Sequence, residues 1–215
     1  GNGKVTGAGS YTHGTEVTLE AVADANNHFV KWSDNVTDAV RVVTVNDNVT
    51  YTAIFAINTH TIKLNADGNG EVTGAGTYEY ATQVTITATP AANHHFVQWS
   101  DGNKEASRTV VVTSDVTYTA TFAIDTYKVT ATVEGNGTVE GAGTYDYGAK
   151  ATLTAVPAEH SVFVEWSDGE KSATREVTVV ADVTYTAIFA DEQFNVSILA
   201  SSELGTVEGG GTYTA

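Results

Sequence analysis

Apolar and polar residues alternate along most of this chain with a period of two. The alternation is clear in residues 17–21, 84–88 and 151–155, where valine, isoleucine, leucine or alanine takes every second position and threonine most of the others. Because side chains of a strand point alternately to opposite faces, this pattern predicts half-buried β-strands. Residues 41–45 and 49–55 continue the pattern, so we predict an all-β chain.

Glycine-rich segments mark the turns between these strands. Residues 67–70 read Asp-Gly-Asn-Gly and residues 134–137 read Glu-Gly-Asn-Gly, and each lies between two apolar runs. Glycine and asparagine tolerate the positive φ angles that tight hairpins need. Both segments are therefore predicted to be hairpin turns.

Two features depart from simple alternation. Phe29 and Trp32 are three residues apart and would lie on opposite faces of a flat strand, so either a bulge re-aims one ring or both faces are covered. The segments that precede this phenylalanine and its counterparts, residues 23–28, 90–95 and 157–162, have room for one short helical turn and no more.

The same pattern of residues occurs three times. Trp-Ser-Asp stands at residues 32–34, 99–101 and 166–168, so successive copies lie 67 residues apart, and Gly-Asn-Gly and Val-Thr-Tyr-Thr-Ala recur at the same spacing. A period of this length predicts a tandem array with one small module per repeat. It also argues against an enzyme, because a catalytic centre is normally needed once.

The period divides the chain into three repeats and a remainder. We assign residues 1–57 to a first repeat that lacks its leading strand, 58–124 to the second and 125–190 to the third. Residues 191–215 restart the motif and are expected to be the beginning of a truncated fourth repeat, in which residues 201–204 lengthen the hairpin turn.

Charge and composition narrow the range of partners. The chain has 10 Lys and Arg against 26 Asp and Glu, a formal charge of −16, which repels phosphate backbones, so we expect no nucleic acid partner. It contains no cysteine, so disulfides and thiolate metal sites are excluded. No apolar run approaches the length of a membrane span, so we expect no membrane insertion in this segment.

The order of the motifs carries a resemblance along the whole chain. Each repeat reads, with small variations, Gly-x-Val-x-Gly-x-Gly-x-Tyr, Val-Thr-Leu-x-Ala, Phe-Val-x-Trp-Ser-Asp, Arg-x-Val-x-Val and Val-Thr-Tyr-Thr-Ala-x-Phe. This order resembles the divergent internalin-type (InlB) B-repeat family. The resemblance implies small β-grasp-like modules in arrays on bacterial surface and secreted proteins, with no catalytic residues to carry over. The chain departs from the commoner form of the family motif, in which glycine precedes the tryptophan. Here the preceding residue is Lys31, Gln98 or Glu165.

The polar residues of the motif allow a catalytic and a structural interpretation. A Ser-Asp pair would need a histidine base at a fixed position, but His28 and His95 align with Val162 in the third copy. Arginine and aspartate do recur in every copy, and their planar groups match each other in ion pairs across neighbouring strands. We therefore predict no catalytic residues and nine structural anchors: Trp32, Trp99, Trp166, Asp34, Asp101, Asp168, Arg41, Arg108 and Arg175.

Metal binding is weakly indicated. Residues 46–48 (Asn-Asp-Asn) and 67–70 offer oxygen ligands for Ca²⁺, but the first segment becomes Thr-Ser-Asp and Val-Ala-Asp in the later copies. Turn formation explains these residues without an ion. The sequence predicts no metal and no cofactor.

Burial or exposure of the three tryptophans distinguishes between two possible functions. If they form the cores of small domains, the chain is a non-enzymatic extracellular segment of a bacterial surface or secreted protein, acting as a stalk, spacer or adhesion element. If they are exposed, they could stack on sugar rings in a carbohydrate-binding array appended to a surface enzyme.

The partners expected on the first interpretation, which we favour, are a host or bacterial surface protein or a glycan. Head-to-tail self-association is a further expectation. The tail of one molecule would lay Phe194, Val196 and Ile198 along the open sheet edge of another.

Overall fold

The protein is built entirely of β-strands wherever the structure describes it. The structure is a computed structural model, and it describes residues 2–199 and 209–214. No helix occurs among these residues, which confirms the predicted all-β class. The predicted lengthening of a turn by residues 201–204 lies outside the described residues.

The strands follow the repeat. The first repeat contains β1 (Gly3–Thr6), β2 (Thr15–Ala23), β3 (Asn27–Trp32), β4 (Val40–Val45) and β5 (Ala53–Ile57). The second contains β6 (Thr59–Ala66), β7 (Gly70–Thr73), β8 (Gly76–Glu79), β9 (Gln83–Pro90), β10 (His94–Trp99), β11 (Ser107–Val111) and β12 (Val116–Ile124). The third contains β13 (Thr126–Glu134), β14 (Gly137–Glu140), β15 (Gly143–Asp146), β16 (Lys150–Pro157), β17 (Ser161–Trp166), β18 (Thr174–Thr178) and β19 (Val183–Asp191). Two more strands follow, β20 (Gln193–Val196) and β21 (Gly211–Thr214).

Two compact units divide the chain, Gly1–Ala123 and Ile124–Ala215. In the second unit, the third repeat has a four-stranded sheet in the order β15-β13-β19-β17 and a three-stranded sheet in the order β14-β16-β18. The central strands β13 and β19 run parallel, and the outer strands pair with them antiparallel. This mixed sheet, with the first and last strands of the repeat side by side, is the β-grasp-like part of the module.

The first unit contains the same arrangement once in full. The second repeat has sheets in the orders β10-β12-β6-β8 and β11-β9-β7, with β6 and β12 parallel. The first repeat has the three-stranded sheet β1-β2-β4, but its other sheet holds only β3 and β5. Among the described residues, β5 therefore has no parallel partner.

The core of each repeat lies between its two sheets. In the third repeat, one row of buried residues comes from β16 and the other from the mixed sheet. The fully or nearly fully buried members of this core are Val129, Ala151, Leu153, Ala155, Trp166, Val179, Ala187 and Phe189. The threonines that alternate with Ala151, Leu153 and Ala155 face away from it, as the period of two predicts.

A β-bulge brings phenylalanine and tryptophan to the same face. The pairing of β3 with β5 shifts by one residue between Phe29 and Lys31, and the pairing of β17 with β19 shifts between Phe163 and Glu165. The extra residue turns outward, and the two rings lie 5.6 Å apart between centroids in both repeats. Of the two sequence-based alternatives, the bulge is the one found.

The segments with room for a helical turn instead form tight turns. Residues Asn26, Asn93 and His160 have φ angles of 62°, 60° and 61°, in the left-handed region. One left-handed residue reverses the chain sharply and prevents a right-handed helix from continuing. These segments are turns between strands.

A single residue outside the strands joins the first two repeats. β5 ends at Ile57 and β6 begins at Thr59, so Asn58 alone lies between them. The backbone N–H of Asn58 donates to the carbonyl oxygen of Asn26 at 2.9 Å, and its carbonyl oxygen accepts from the N–H of Tyr80 at 2.8 Å. The joint is thus bonded to a turn of each repeat.

One glycine position tests how closely the chain that leaves β14 passes the backbone of β16, its neighbour in the same sheet. Gly141 has a φ of +90°, and an added Cβ would lie 1.9 Å from the carbonyl oxygen of Thr152, whereas Gly148, with a φ of +79°, has open space around it. We expect Gly141→Ala to lower the free energy of unfolding by about 3 kcal/mol and Gly148→Ala by about 1 kcal/mol, since the second substitution carries only the left-handed strain. Urea denaturation of both variants measures the difference, and equal effects would show that the contact at Gly141 is easily relaxed.

Candidate functional site

The recurring Trp-Ser-Asp motif lies in the turn that follows the bulged strand. β3, β10 and β17 each end at the tryptophan, whose carbonyl oxygen accepts a hydrogen bond from the residue three positions later. That residue has a positive φ in every copy. It is Asn35 (68°), Gly102 (83°) or Gly169 (86°), the residue types that adopt this conformation most easily.

The indole rings form the centres of the cores. Trp32, Trp99 and Trp166 are each 0% exposed. Each Nε1–H donates to the carbonyl oxygen six residues later, at 2.9–3.0 Å, and the acceptors are Asp38, Glu105 and Ser172. The ring is buried with its polar group satisfied, which is the arrangement a buried tryptophan needs.

The serine fastens the motif to the last strand of the repeat or, in the first copy, to the residue just before that strand. In the third copy, the backbone N–H of Ser167 donates to the carbonyl oxygen of Thr186 at 2.8 Å, and its Oγ accepts from the N–H of Thr186 at 3.2 Å. Ser33 with Thr52 and Ser100 with Thr119 repeat both bonds. Sequence reasoning missed this contact, although the joint recurrence of the serine and of the Val-Thr-Tyr-Thr-Ala segment could have indicated it.

The aspartate and the arginine of each repeat form an ion pair. Arg175 donates from Nη1 and Nη2 to the two carboxylate oxygens of Asp168 at 2.7 and 2.8 Å. Arg41 reaches both oxygens of Asp34 from Nη1 at 2.7 and 2.5 Å, and Arg108 donates to Asp101 at 2.6 Å. The two-nitrogen fork is therefore present in the third copy. The carboxylates remain about two-fifths exposed in each pair, so solvent screens the attraction.

Each arginine also stacks on a tyrosine, which belongs to the last strand in the second and third copies and precedes it in the first. The guanidinium carbon lies 4.8 Å from the ring centroid of Tyr51 in the first copy, 4.8 Å from Tyr118 in the second and 4.0 Å from Tyr185 in the third. A cation over an aromatic face is attracted by the ring quadrupole. The arginine thus connects the turn aspartate to the last strand, as the serine does by main-chain bonds.

The ion pairs lower the pKa of all three aspartates. Hydrogen bonding from Arg41 holds the pKa of Asp34 below its ordinary value, and hydrogen bonding from Arg175 does the same for Asp168. Burial raises the pKa of Asp101, but the hydrogen bonds from Arg108 and the backbone of Asn103 outweigh it, so the net shift is downward. The bond to Asp168 also raises the pKa of Arg175.

One of the two turns considered for calcium, residues 67–70, has its aspartate engaged in other bonds. Asp67 accepts hydrogen bonds from the N–H of Asn69 at Oδ1, at 3.3 Å, and from the N–H of Phe122 at Oδ2, at 2.8 Å. Across residues 2–199 and 209–214, no three histidine or acidic side chains form a group that could hold a metal ion. Over the same ranges there is no helix long and apolar enough to cross a membrane.

The comparison with protein families agrees with the repeat pattern. Three family-model matches, to the divergent InlB B-repeat domain, cover residues 1–59, 60–126 and 127–193. Among solved structures, the Bacillus anthracis TIE protein is similar over 85% of this chain and 44% of its own, at 8% identity and a TM-score of 0.37. This chain thus spans less than half the length of that structure. No curated protein matches the chain.

Removal of one indole should destabilise its own repeat. We expect Trp99→Ala to lower the free energy of unfolding of the second repeat by about 3 to 5 kcal/mol, because a fully buried ring leaves a cavity. Val97→Ala is the control, since Val97 lies two residues before Trp99 in the same strand and is 36% exposed.

Hydrogen exchange followed by mass spectrometry reports the stability of each repeat separately in this experiment. Protection should fall in residues 59–124 of the Trp99→Ala variant and persist in residues 150–190, because units of an array depend mainly on their own core and neighbours. A loss of protection no greater than that caused by Val97→Ala would show that the indole ring does not stabilise the core.

The aspartates should make stability depend on acid pH. Their lowered folded-state pKa values mean that they stabilise the fold above the unfolded carboxyl pKa of about 3.9, and that this contribution is lost as the pH falls through the folded-state values. We expect the combined variant Asp34→Asn, Asp101→Asn, Asp168→Asn to melt at a lower temperature than the parent near neutral pH. The difference should shrink in acid below about pH 3.

A matched variant separates this effect from general loss of negative charge. Glu16, Glu71 and Glu140 are exposed residues on strands or next to turns, one in each repeat. Their combined replacement by glutamine removes the same number of carboxylates and should leave the acid dependence of the melting temperature close to that of the parent. An equal change in both triple variants would contradict a specific role for the ion pairs.

Proposed function

The chain belongs to the divergent InlB B-repeat family, and from this premise we propose that it is a non-enzymatic stalk or spacer segment of a bacterial surface protein, displayed outside the cell. The observation that carries the proposal is the parallel pairing of the first and last strands in each complete repeat. This pairing determines where the chain enters and leaves the module and how a pulling force is resisted.

The chain enters a complete repeat at one end of the mixed sheet and leaves at the other. In the third repeat, β13 runs eight residue steps from Thr126 to Glu134, which is level with Ile188, and β19 continues three steps further to Asp191. Eleven steps along parallel strands span about 35 Å at about 3.3 Å per residue. The entry and the exit of the repeat therefore lie far apart along its central strands, which suits a spacer.

The same geometry resists extension. A force applied between the entry and the exit of the repeat acts along β13 and β19 in opposite directions. The evenly spaced hydrogen bonds of the parallel ladder then share the load, and they must break together rather than one after another. A surface stalk under load requires this kind of resistance.

Aspartates extend the ladder beyond the paired strands. Asp182, just before β19, accepts a hydrogen bond from the N–H of Lys128 in β13 at 2.7 Å. In the second repeat, Asp115 accepts from the N–H of Thr61 at 2.7 Å, and Asp67 accepts from the N–H of Phe122 at the other end. Each bond fastens the first strand of the repeat to the last, so each adds to the resistance.

The alternative of a carbohydrate-binding array loses its main support. Stacking on a sugar ring requires an exposed aromatic face, and the three tryptophans are 0% exposed. The serine and aspartate of the motif are likewise engaged with the last strand and the arginine. These contacts account for the recurrence of the whole motif without a reaction or a glycan.

Single-molecule pulling tests the load-bearing geometry. The native chain has no cysteine, so paired substitutions define the attachment points uniquely. With Thr126→Cys and Asp191→Cys, force shears β13 against β19. With Thr126→Cys and Ala181→Cys, both attachment points lie at the same end of the two strands, and force peels them apart. We expect the unfolding force in the first geometry to be several times that in the second.

The comparison holds the fold constant and changes only the direction of force. All three positions are exposed, so the substitutions leave the core intact. Melting curves of the two variants should coincide with that of the parent. Equal unfolding forces in the two geometries would overturn the proposal that the parallel pair carries load.

A further inference from the structure

A repeated Asn-Gly dipeptide stands where the chain crosses from one sheet of a repeat to the other. In the second repeat, Asn69 follows β6 of the mixed sheet, and Gly70 is the first residue of β7 in the three-stranded sheet. In the third repeat, Asn136 and Gly137 stand in the same way between β13 and β14. The same dipeptide therefore connects the two sheets in both complete repeats.

The fold requires the glycine of this dipeptide. A Cβ added at Gly70 would lie 2.5 Å from the ring of Phe122 and 2.6 Å from the carbonyl oxygen of Thr89. A Cβ added at Gly137 would lie 2.5 Å from the ring of Phe189. Both phenylalanines belong to the cores, so any larger residue would have to displace a packed ring.

The asparagine, in contrast, has a free side chain. Asn69 and Asn136 are exposed, and in the part of the chain that the structure describes neither side-chain amide has a hydrogen bond. Their main chain is held, since the carbonyl oxygens accept the N–H of Ala91 at 2.9 Å and of Ala158 at 3.1 Å. Other asparagines have side-chain amides engaged in hydrogen bonds: Asn27, Asn35, Asn58 and Asn103.

The backbone nitrogen of the glycine points away from the neighbouring strand. Gly70 lies opposite Pro90 in the antiparallel ladder, and the bond from Ala91 to Asn69 lies next to this pair. The pair is therefore of the type whose members exchange no hydrogen bonds. β7 is an edge strand of its sheet, so among the described strands none takes up this N–H on the other side. The third repeat has the same arrangement at the start of β14.

We propose that Asn69 and Asn136 are sites of spontaneous deamidation in the folded protein. The backbone nitrogen of the following glycine attacks the side-chain Cγ of the asparagine, and the bond from Cγ to the amide nitrogen breaks. The proton of the glycine N–H leaves with that nitrogen as ammonia, and a cyclic succinimide remains. One water molecule then opens either C–N bond of the ring and gives aspartate or isoaspartate. Glycine favours the attack because it has no Cβ to shield its nitrogen.

The isoaspartate product changes the main chain at the crossing. Its main chain runs through Cβ and Cγ and is one methylene longer, and a carboxylate replaces the carbonyl group that accepted a hydrogen bond. Gly70 and Gly137 lie against Phe122 and Phe189, so the longer link must move either the glycine or the ring. A modified repeat is therefore less stable than an unmodified one. Because the fold requires glycine here, the reactive dipeptide is built into the module.

Asn65 provides a comparison within the second repeat. It is exposed like Asn69, but it lies inside β6, opposite Thr119 in the parallel ladder with β12, and it is followed by Ala66. The Cβ of the alanine and the pairing of the strand both hinder attack on the side chain. We expect Asn65 to be converted much more slowly than Asn69.

Peptide mapping by mass spectrometry tests the proposal. The parent chain is kept folded in mildly alkaline buffer, because base favours removal of the N–H proton, and the buffer is made with oxygen-labelled water, which marks each hydrolysis. Samples taken over several weeks should contain labelled aspartate and isoaspartate, separable by chromatography, at residues 69 and 136. Both should form many times faster than at residue 65.

The combined variant Asn69→Gln, Asn136→Gln is the matched control. Glutamine keeps an exposed amide, but its longer side chain would have to close a larger ring, so these positions should stay unmodified. Because the two asparagine amides have no hydrogen bond to lose, the fresh variant should melt at the temperature of the fresh parent. After the incubation, the parent should melt at a lower temperature than the variant.

A parallel incubation in urea shows whether the fold permits the reaction. Conversion at residues 69 and 136 in the unfolded chain but not in the folded chain would overturn the proposal, because the fold would then protect the dipeptide. Conversion in the folded chain that is no faster than at residue 65 would overturn it as well. A converted parent that still melts with the variant would contradict the inferred loss of stability.

Discussion

Everything in a repeat is arranged around one buried indole. A module of about 67 residues buries a small fraction of its surface compared with larger domains, and this chain has no cysteine to compensate. The tryptophan supplies the largest buried side chain and ends the bulged strand. The residues that follow it connect the turn to the last strand through a serine, an aspartate and an arginine. The position of the ring therefore sets the position of the turn, and the turn in turn holds the last strand of the repeat.

The class of the fold and its periodicity could be predicted from residues alone. Alternation of valine with threonine has only one simple structural meaning, and a motif that recurs at a constant spacing states the number of modules directly. The arginine and aspartate were also singled out as a pair, because recurrence at a constant separation of seven residues implies a constant geometry. Local pattern was not sufficient for residues 67–70 and 134–137. They were predicted to be hairpin turns, but they join strands of different sheets, β6 to β7 and β13 to β14.

The sequence could not supply what depends on contacts across the sheets. The bulge beside Phe29 could be recognised only as one of two alternatives, because the shift in pairing is set by a strand more than twenty residues away. The turns at Asn26, Asn93 and His160 were expected to have room for a helical turn, and their left-handed residues are not specified by residue type alone, since histidine is among them. The serine contact likewise joins residues nineteen positions apart.

The joint at Asn58 has a consequence for the energetics of the first unit. Because its N–H and its carbonyl oxygen are bonded to turns of different repeats, unfolding either repeat strips a hydrogen bond from the other. Neighbouring repeats are then coupled by a nearest-neighbour interaction, as in a one-dimensional Ising chain. The free energy of unfolding of two coupled repeats then exceeds the sum of the values for the same two repeats in isolation. A boundary between folded and unfolded repeats carries a penalty, which favours collective melting over independent opening.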